Sequence, residues 1–161
     1  VNGLRRCVPL LLVPLLALCL LSGCGSIKRK LGIGPQLAVL RELSVSAEAG
    51  ANLGNSTQLD IVVVYSSAAV ARMPKTGPDW FRQRDALEKE LGKDIGVLSQ
   101  EVDTPSASFV VKLPRDTRKK GLAVYAFANY AAPEGWPVIA LTSYKKVALR
   151  MQATSIALVE Q

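Results

Sequence analysis

Histidine is absent from the 161 residues, and the only cysteines are Cys7, Cys19 and Cys24, so nothing beyond position 24 carries a thiol. These absences exclude a disulfide framework, a histidine-based catalytic triad and the usual zinc ligand sets. No internal repeat is visible, which excludes a solenoid. Acidic residues are in the minority, 13 against 20 basic ones, for a net charge of +7. Hydrophobic residues make up 49% and charged ones 20%, a balance that excludes a disordered tail. The length suits one ordinary domain and is too short for two well-buried ones.

The apolar residues are unevenly spread. Arg5-Arg6 precede a dense apolar block from Val8 to Leu21, interrupted by Pro9 and Pro14. At 14 residues the block is shorter than the roughly 20 a spanning helix requires. A basic start, a short apolar centre and small residues after it form the layout of a secretory signal peptide. Leu21-Ser22-Gly23-Cys24 matches the lipobox of bacterial lipoproteins: Ser22 and Gly23 fit a narrow peptidase site, and the Cys24 thiol is the atom acylated. Residues 1–23 are therefore expected to be the signal peptide, with covalent lipid (palmitate among its chains) on Cys24. Three acyl chains exceed the two signals that stable anchoring takes. Gly25 is not the Asp that retains enterobacterial lipoproteins in the inner membrane, so the outer membrane is the expected destination. Without Arg5 and Arg6 the 20 basic residues fall to 18 against 13 acidic, a net +5.

Residues 24–37 combine the lipidated cysteine with Gly25, Gly32, Gly34, Pro35 and the basic run Lys28-Arg29-Lys30, the composition of a flexible tether. From residue 38 to 161 the pattern is dominated by strands. Leu43, Val45 and Ala47 alternate with Ser44, Ser46 and Glu48, as in a half-buried strand. Gly50 to Gln58 has turn chemistry. Leu59 to Ser66 has a β-branched centre suited to a strand buried on both faces or central in its sheet. Asp79 to Leu91 is the one good helix, with Asp79 as N-cap, an apolar stripe through Trp80, Phe81, Arg84, Leu87, Glu88 and Leu91, and Gly92 at the C-terminus. Strands are expected at Ile95–Val102, Ser108–Leu113, Leu122–Ala128, Val138–Leu149 (with room for a bend or turn near Lys145-Lys146) and Thr154–Val159. The fold class is thus all-β: a two-sheet sandwich with one inserted helix.

Catalytic constellations are poor. Ser143-Tyr144-Lys145-Lys146 spells S-x-x-K, a motif that places its lysine beside serine only at a helix start, whereas the pattern here is extended. Asp85 and Glu88 read as a solvated helical face. Asn55-Ser56-Thr57 spells a sequon that turn chemistry explains. Arg115 to Lys120 is the densest basic run; without interleaved aromatics it reads as a charged hairpin tip rather than a nucleic-acid site. Trp136 suits either a loop-borne anchor or a core residue. No catalytic residue, metal or cofactor is expected, apart from the covalent lipid on Cys24, and the chain does not read as an enzyme.

The order of features resembles the outer-membrane lipoproteins of the type VI secretion system, the TssJ family. It runs from a lipobox and short tether to a first strand ending near Ala51-Asn52-Leu53. A loop, the Leu59–Tyr65 strand, the helix with Leu91-Gly92-Lys93-Asp94, and strands through Ala123–Phe127 and Val147–Leu158 follow. The resemblance implies a sandwich of transthyretin type and a non-enzymatic role. It also implies a lipoprotein in the outer membrane whose periplasmic domain holds the periplasmic part of TssM, and through it TssL. The family's partner-binding loop falls by position on Ala51, Asn52, Leu53, Gly54, Asn55 and Ser56, without the longer Asn-Pro stretch of relatives. Alternatives are a sandwich lipoprotein serving another envelope machine or carrying a small apolar ligand, and a cell-wall enzyme resting on Ser143 and Lys146.

Overall fold

The computed structural model describes residues 36–104, 107–131 and 136–161, so the signal-peptide, Cys24 and tether expectations lie outside the described residues. Eight strands are present: β1 Glu42–Ala47, β2 Thr57–Val64, β3 Ile95–Val102, β4 Ser108–Val110, β5 Ala123–Ala128, β6 Ile139–Ala140, β7 Lys146–Met151 and β8 Ile156–Glu160. They form two four-stranded sheets, ordered β4-β1-β7-β8 and β3-β2-β5-β6. All pairings are antiparallel except β1 with β7, which run parallel from Glu42↔Lys146 to Ala47↔Met151. The expected all-β, two-sheet sandwich is the observed one.

Period-two patterning sets which side chains enter the space between the sheets. Leu43, Val45 and Ala47 of β1 meet Leu59, Ile61 and Val63 of β2, with Val124 and Ala126 of β5 and Val147 and Leu149 of β7 in the same cluster. β2 lies between β3 and β5 and is buried on both faces, as its β-branched run predicts. Its other face, with Val62 and Val64, packs beneath a helix.

That helix, α2, spans Gly77–Leu91; the shorter α1, Ser67–Arg72, precedes it and α3, Thr117–Lys120, follows β4. Trp80 and Leu87 of α2 are buried against Val62, Val64 and Phe127. The Trp80 ring stacks on Phe127 with centroids 4.8 Å apart and planes 12° apart. The helix starts earlier than the sequence reading has it. Thr76, not Asp79, is the N-cap: its hydroxyl oxygen accepts from the Asp79 amide at 3.2 Å and donates to the Asp79 carboxylate at 2.7 Å. Thr76 and Asp79 thus hold each other at the helix start, and Pro78 sits in the first turn, where its missing N–H costs nothing. Gly77 is required there by space, since a Cβ would lie 2.4 Å from the Ala128 carbonyl oxygen. The short α1 was not expected from sequence; Ser66 caps it through the Ala69 amide at 3.2 Å.

Two further departures have one cause, chain crossing between sheets. Val138–Leu149 is broken earlier than near Lys145-Lys146: β6 pairs with β5 in one sheet and β7 with β1 in the other, with a turn at Thr142–Ser143 between them. Likewise Arg115–Lys120 is no hairpin tip. β4 and β5 belong to different sheets, so the basic run is a crossover and includes α3. The resemblance places the first strand's end near Ala51-Asn52-Leu53, but β1 stops at Ala47 and a turn intervenes. On β8 Ile156 is buried, whereas Leu158 is exposed because β8 is an edge strand.

The helix face carries one feature that patterning hides. Asp60 of β2 is fully buried, accepting from Trp80 Nε1 at 2.8 Å and facing Arg84 Nη1 at 3.3 Å through the same oxygen. Arg84 also donates to Glu88 at 2.7 Å, which, with burial opposing and Asp60 assisting, keeps the guanidinium above its ordinary pKa. Arg84 is therefore in the apolar stripe to pair a buried carboxylate, and that pairing is what makes burial of the charge tolerable.

Candidate partner-binding loop

The strand directions give the sandwich two ends. β1 and β7 run away from the end where residues 36–41 come in; β2 begins at the far end, where β1 leaves. The six residues singled out by position, 51–56, lie at that far end. Ala51–Gly54 forms a 3₁₀ turn with left-handed backbone at Asn52 (φ 50°, ψ 40°) and Leu53 (φ 56°, ψ 30°). Gly50 (φ 80°) and Gly54 (φ 83°) bracket it in the region glycine takes without penalty. Asn tolerates such a conformation through its local hydrogen bonds, but for Leu it costs about 1–2 kcal/mol.

The neighbouring loops hold this conformation in place. The amides of Asn52 and Leu53 donate to the carbonyls of Gln152 and Ala153, each at 3.0 Å. Asn52, only 2% exposed, ties a third loop: its Oδ1 accepts from the Ala131 amide at 2.6 Å, and its Nδ2 donates to the Asn129 carbonyl at 3.4 Å and the Ser56 carbonyl at 3.3 Å. Asn55 donates to the Asn52 carbonyl at 3.0 Å, and Ser56 donates to Glu101 at 2.7 Å. The Tyr130 hydroxyl faces the Gln152 and Ser155 carbonyls at 2.5 and 3.1 Å. Burial pushes its pKa above the ordinary value, partly offset by backbone hydrogen bonds.

The structure therefore divides the six residues by task. Ala51 and Asn52 are buried supports, while Leu53, Gly54, Asn55 and Ser56 are exposed. Leu53 projects with 63% of its surface open, an apolar side chain on a backbone it does not prefer. Sequence reading missed the supports Asn129, Tyr130 and Ala131 and the Gln152–Ser155 turn. Their only signal was polar turn residues following a strand. Trp136 is half-buried and packs on Tyr130, centroids 5.6 Å apart, so it braces the same loop cluster.

The other sequence candidates lie elsewhere. Ser143 is in an exposed turn and Lys146 pairs with Glu42 at 3.2 Å. Asp85 is exposed on α2, and Glu88 is occupied by Arg84. Among the described residues no group of three or more acidic, cysteine or histidine side chains is placed to hold a metal ion. Among them, too, no helix is long and apolar enough to cross a membrane.

Solved structures share this architecture. The T6SS lipoprotein TssJ1 from Pseudomonas aeruginosa superposes with a TM-score of 0.50 at 14% identity, over 76% of this chain and 95% of that one. The fold is TssJ-like. Serratia marcescens Lip, a membrane-bound component of the type VI secretion system, gives a TM-score of 0.50 at 10% identity, over 74% and 96%. A structure of the T6SS protein TssM C-terminal domain from EAEC matches with a TM-score of 0.50 at 15% identity, over 73% of this chain and 98% of that one. No protein-family model and no curated protein sequence matches the chain. At these identities the likeness is one of fold alone.

Proposed function

We propose that the chain is a structural lipoprotein of the type VI secretion envelope complex, anchored in the outer membrane through acylated Cys24. It grips the periplasmic domain of TssM with the 51–56 loop, and TssL joins through TssM. The observation that carries this reading is Leu53, exposed on left-handed backbone and fixed by Asn52 to two other loops of a TssJ-like sandwich. A docking module needs that arrangement and no reactive group: a preset apolar contact binds without first ordering a mobile segment. The apolar-ligand alternative is disfavoured by the inter-sheet space, which Leu43, Val45, Leu59, Ile61, Leu141 and Leu149 fill.

The test is binding of the 25–161 domain to the TssM periplasmic region by calorimetry. Saturable binding is expected. Leu53→Gly removes the exposed side chain while relaxing its backbone, so affinity should fall at least about tenfold with no loss of thermal stability. Absence of binding by the parent domain would remove the assignment to this secretion machine.

A further inference from the structure

The opposite end of the sandwich carries a separate feature. Residues 38–41 are stitched into it: the Ala38 amide donates to the Gly121 carbonyl at 2.8 Å, Val39 to Thr142 at 3.0 Å and Arg41 to Lys145 at 2.8 Å. Two surface clefts open beside this seam. One, of about 370 Å³, is walled by Leu40, Arg41, Lys112, Arg115, Thr117 and Arg118. The other, of about 270 Å³, shares Arg41 and Arg118 and adds Lys145. The Thr117 hydroxyl, buried in the wall of the larger cleft, has no hydrogen-bond partner among the described residues.

The charge here is lopsided. Residues 36–42, 111–122 and 141–146 hold eight basic side chains and two acidic ones. Both acids are occupied, Glu42 by Lys146 at 3.2 Å and Asp116 by Lys120 at 3.3 Å. Arg41, Lys112, Arg115, Arg118, Lys119 and Lys145 are exposed and make no salt bridge among the described residues.

We propose that this end is a docking face for the phosphate-bearing headgroups of anionic lipids. Two facts select a membrane surface as the occupant. The face is positively charged and cleft, which matches phosphate on a flat anionic layer. It is also where the chain from Cys24 arrives: twelve residues, 25–36, separate that cysteine from the sandwich, and fully extended they span no more than about 40 Å. Docked this way the sandwich stands on its basic end. β2, at eight residues, then holds the 51–56 loop about 25 Å further out, open to a partner. The membrane's nearness rests on the lipid-anchor reading; the face itself does not.

The test uses the lipidated chain reconstituted into vesicles of phosphatidylethanolamine alone or mixed with phosphatidylglycerol. With Cys24 acylated, a cysteine placed at Ser143 (basic end) or Ala153 (loop end) is the only thiol to carry a fluorophore. Energy transfer to headgroup-labelled lipid should rise for Ser143 and not Ala153 when phosphatidylglycerol is added, and the rise should vanish in high salt. The combined variant Arg115→Glu, Arg118→Glu, Lys119→Glu should abolish it, each position contributing roughly fivefold to the docking equilibrium. Equal transfer from Ser143 in both vesicle types would overturn the proposal. If the chain washes off neutral vesicles, the anchoring reading fails. The docking face then stands if anionic vesicles still retain the parent and not the triple variant, and falls if they retain neither.

Discussion

The two ends of the sandwich are built in opposite ways on the same scaffold. The 51–56 end has no cationic cluster: the described residues 48–57, 101–104, 107, 128–131 and 152–156 include Glu48, Glu101 and Asp103 and no basic side chain. Its order comes from backbone amides and one buried Asn side chain that lock a strained turn. The other end is dense in cations, six of them exposed and without a salt bridge among the described residues, and no side chain there links its loops as Asn52 does at the first. Short-range hydrogen bonds define a shape, and shape selects a particular partner. Clustered exposed charge defines a field, and a field suits a surface with no fixed shape.

Three substitutions would break or sharpen this contrast. The largest effect belongs to the layer both ends share. Trp80→Ala removes the stack on Phe127 and the hydrogen bond to buried Asp60, and should cost about 3–5 kcal/mol in denaturant unfolding. It should weaken the two ends together, since β2 and β5 beneath Trp80 run to both of them. Next comes Asn52→Ala, which leaves the Ala131 amide without its acceptor and puts a β-carbon-bearing residue in left-handed backbone with no amide to support it. A loss of about 2 kcal/mol is expected, with hydrogen exchange quickened at residues 51–56 and 129–131 and unchanged at 111–122. If both ends loosen equally, they are one cooperative unit and the contrast fails.

The smallest effect is read in alkaline solution, as a change of slope on top of the pH-independent loss of the Tyr130 hydroxyl's contacts with the Gln152 and Ser155 carbonyls. Burial raises the pKa of Tyr130 at the loop end, and burial with Asp116 nearby raises that of Tyr65 at the other. The folded state therefore keeps the phenol protons longer than the unfolded chain does. The stability this gives is fully present below the unfolded tyrosine pKa, about 10, and is lost as pH rises through the folded value. Tyr130→Phe should flatten part of the fall in unfolding free energy above that pH and leave the part due to Tyr65. An unchanged alkaline slope would show that Tyr130 ionises as readily folded as unfolded.

Much of the fold was legible because burial imposes a period. The alternation at Leu43–Ala47 marks a one-faced strand, and the β-branched run of β2 marks a strand covered on both sides. An element without such a pattern was missed: α1 is short and Ala-rich. The strand expected at Ser108–Leu113 is present as β4 but only three residues long. Sheet membership was also hidden. Val138–Leu149 reads as one apolar stretch because β6 and β7 are each apolar, yet the turn at Thr142–Ser143 sends them to different sheets. The loop was legible as a position and a turn composition. Its working geometry was not, because the Asn52 side chain reaches partners 77 and 79 residues away.

From residue order alone follow the lipobox pattern at Cys24, the absence of catalytic histidine and thiol chemistry, the strand-dominated pattern and the single long helix, because each depends on neighbours within a few residues. Only the tertiary structure decided that Asp60 would be buried against Trp80 and Arg84, that Leu53 would stand exposed on left-handed backbone, and that the 115–120 run would gather with Arg41 and Lys145 at one end. Those outcomes depend on which strands pair and where the chain crosses between sheets. That choice is made by burying the whole apolar surface at once, and no local stretch of sequence encodes it.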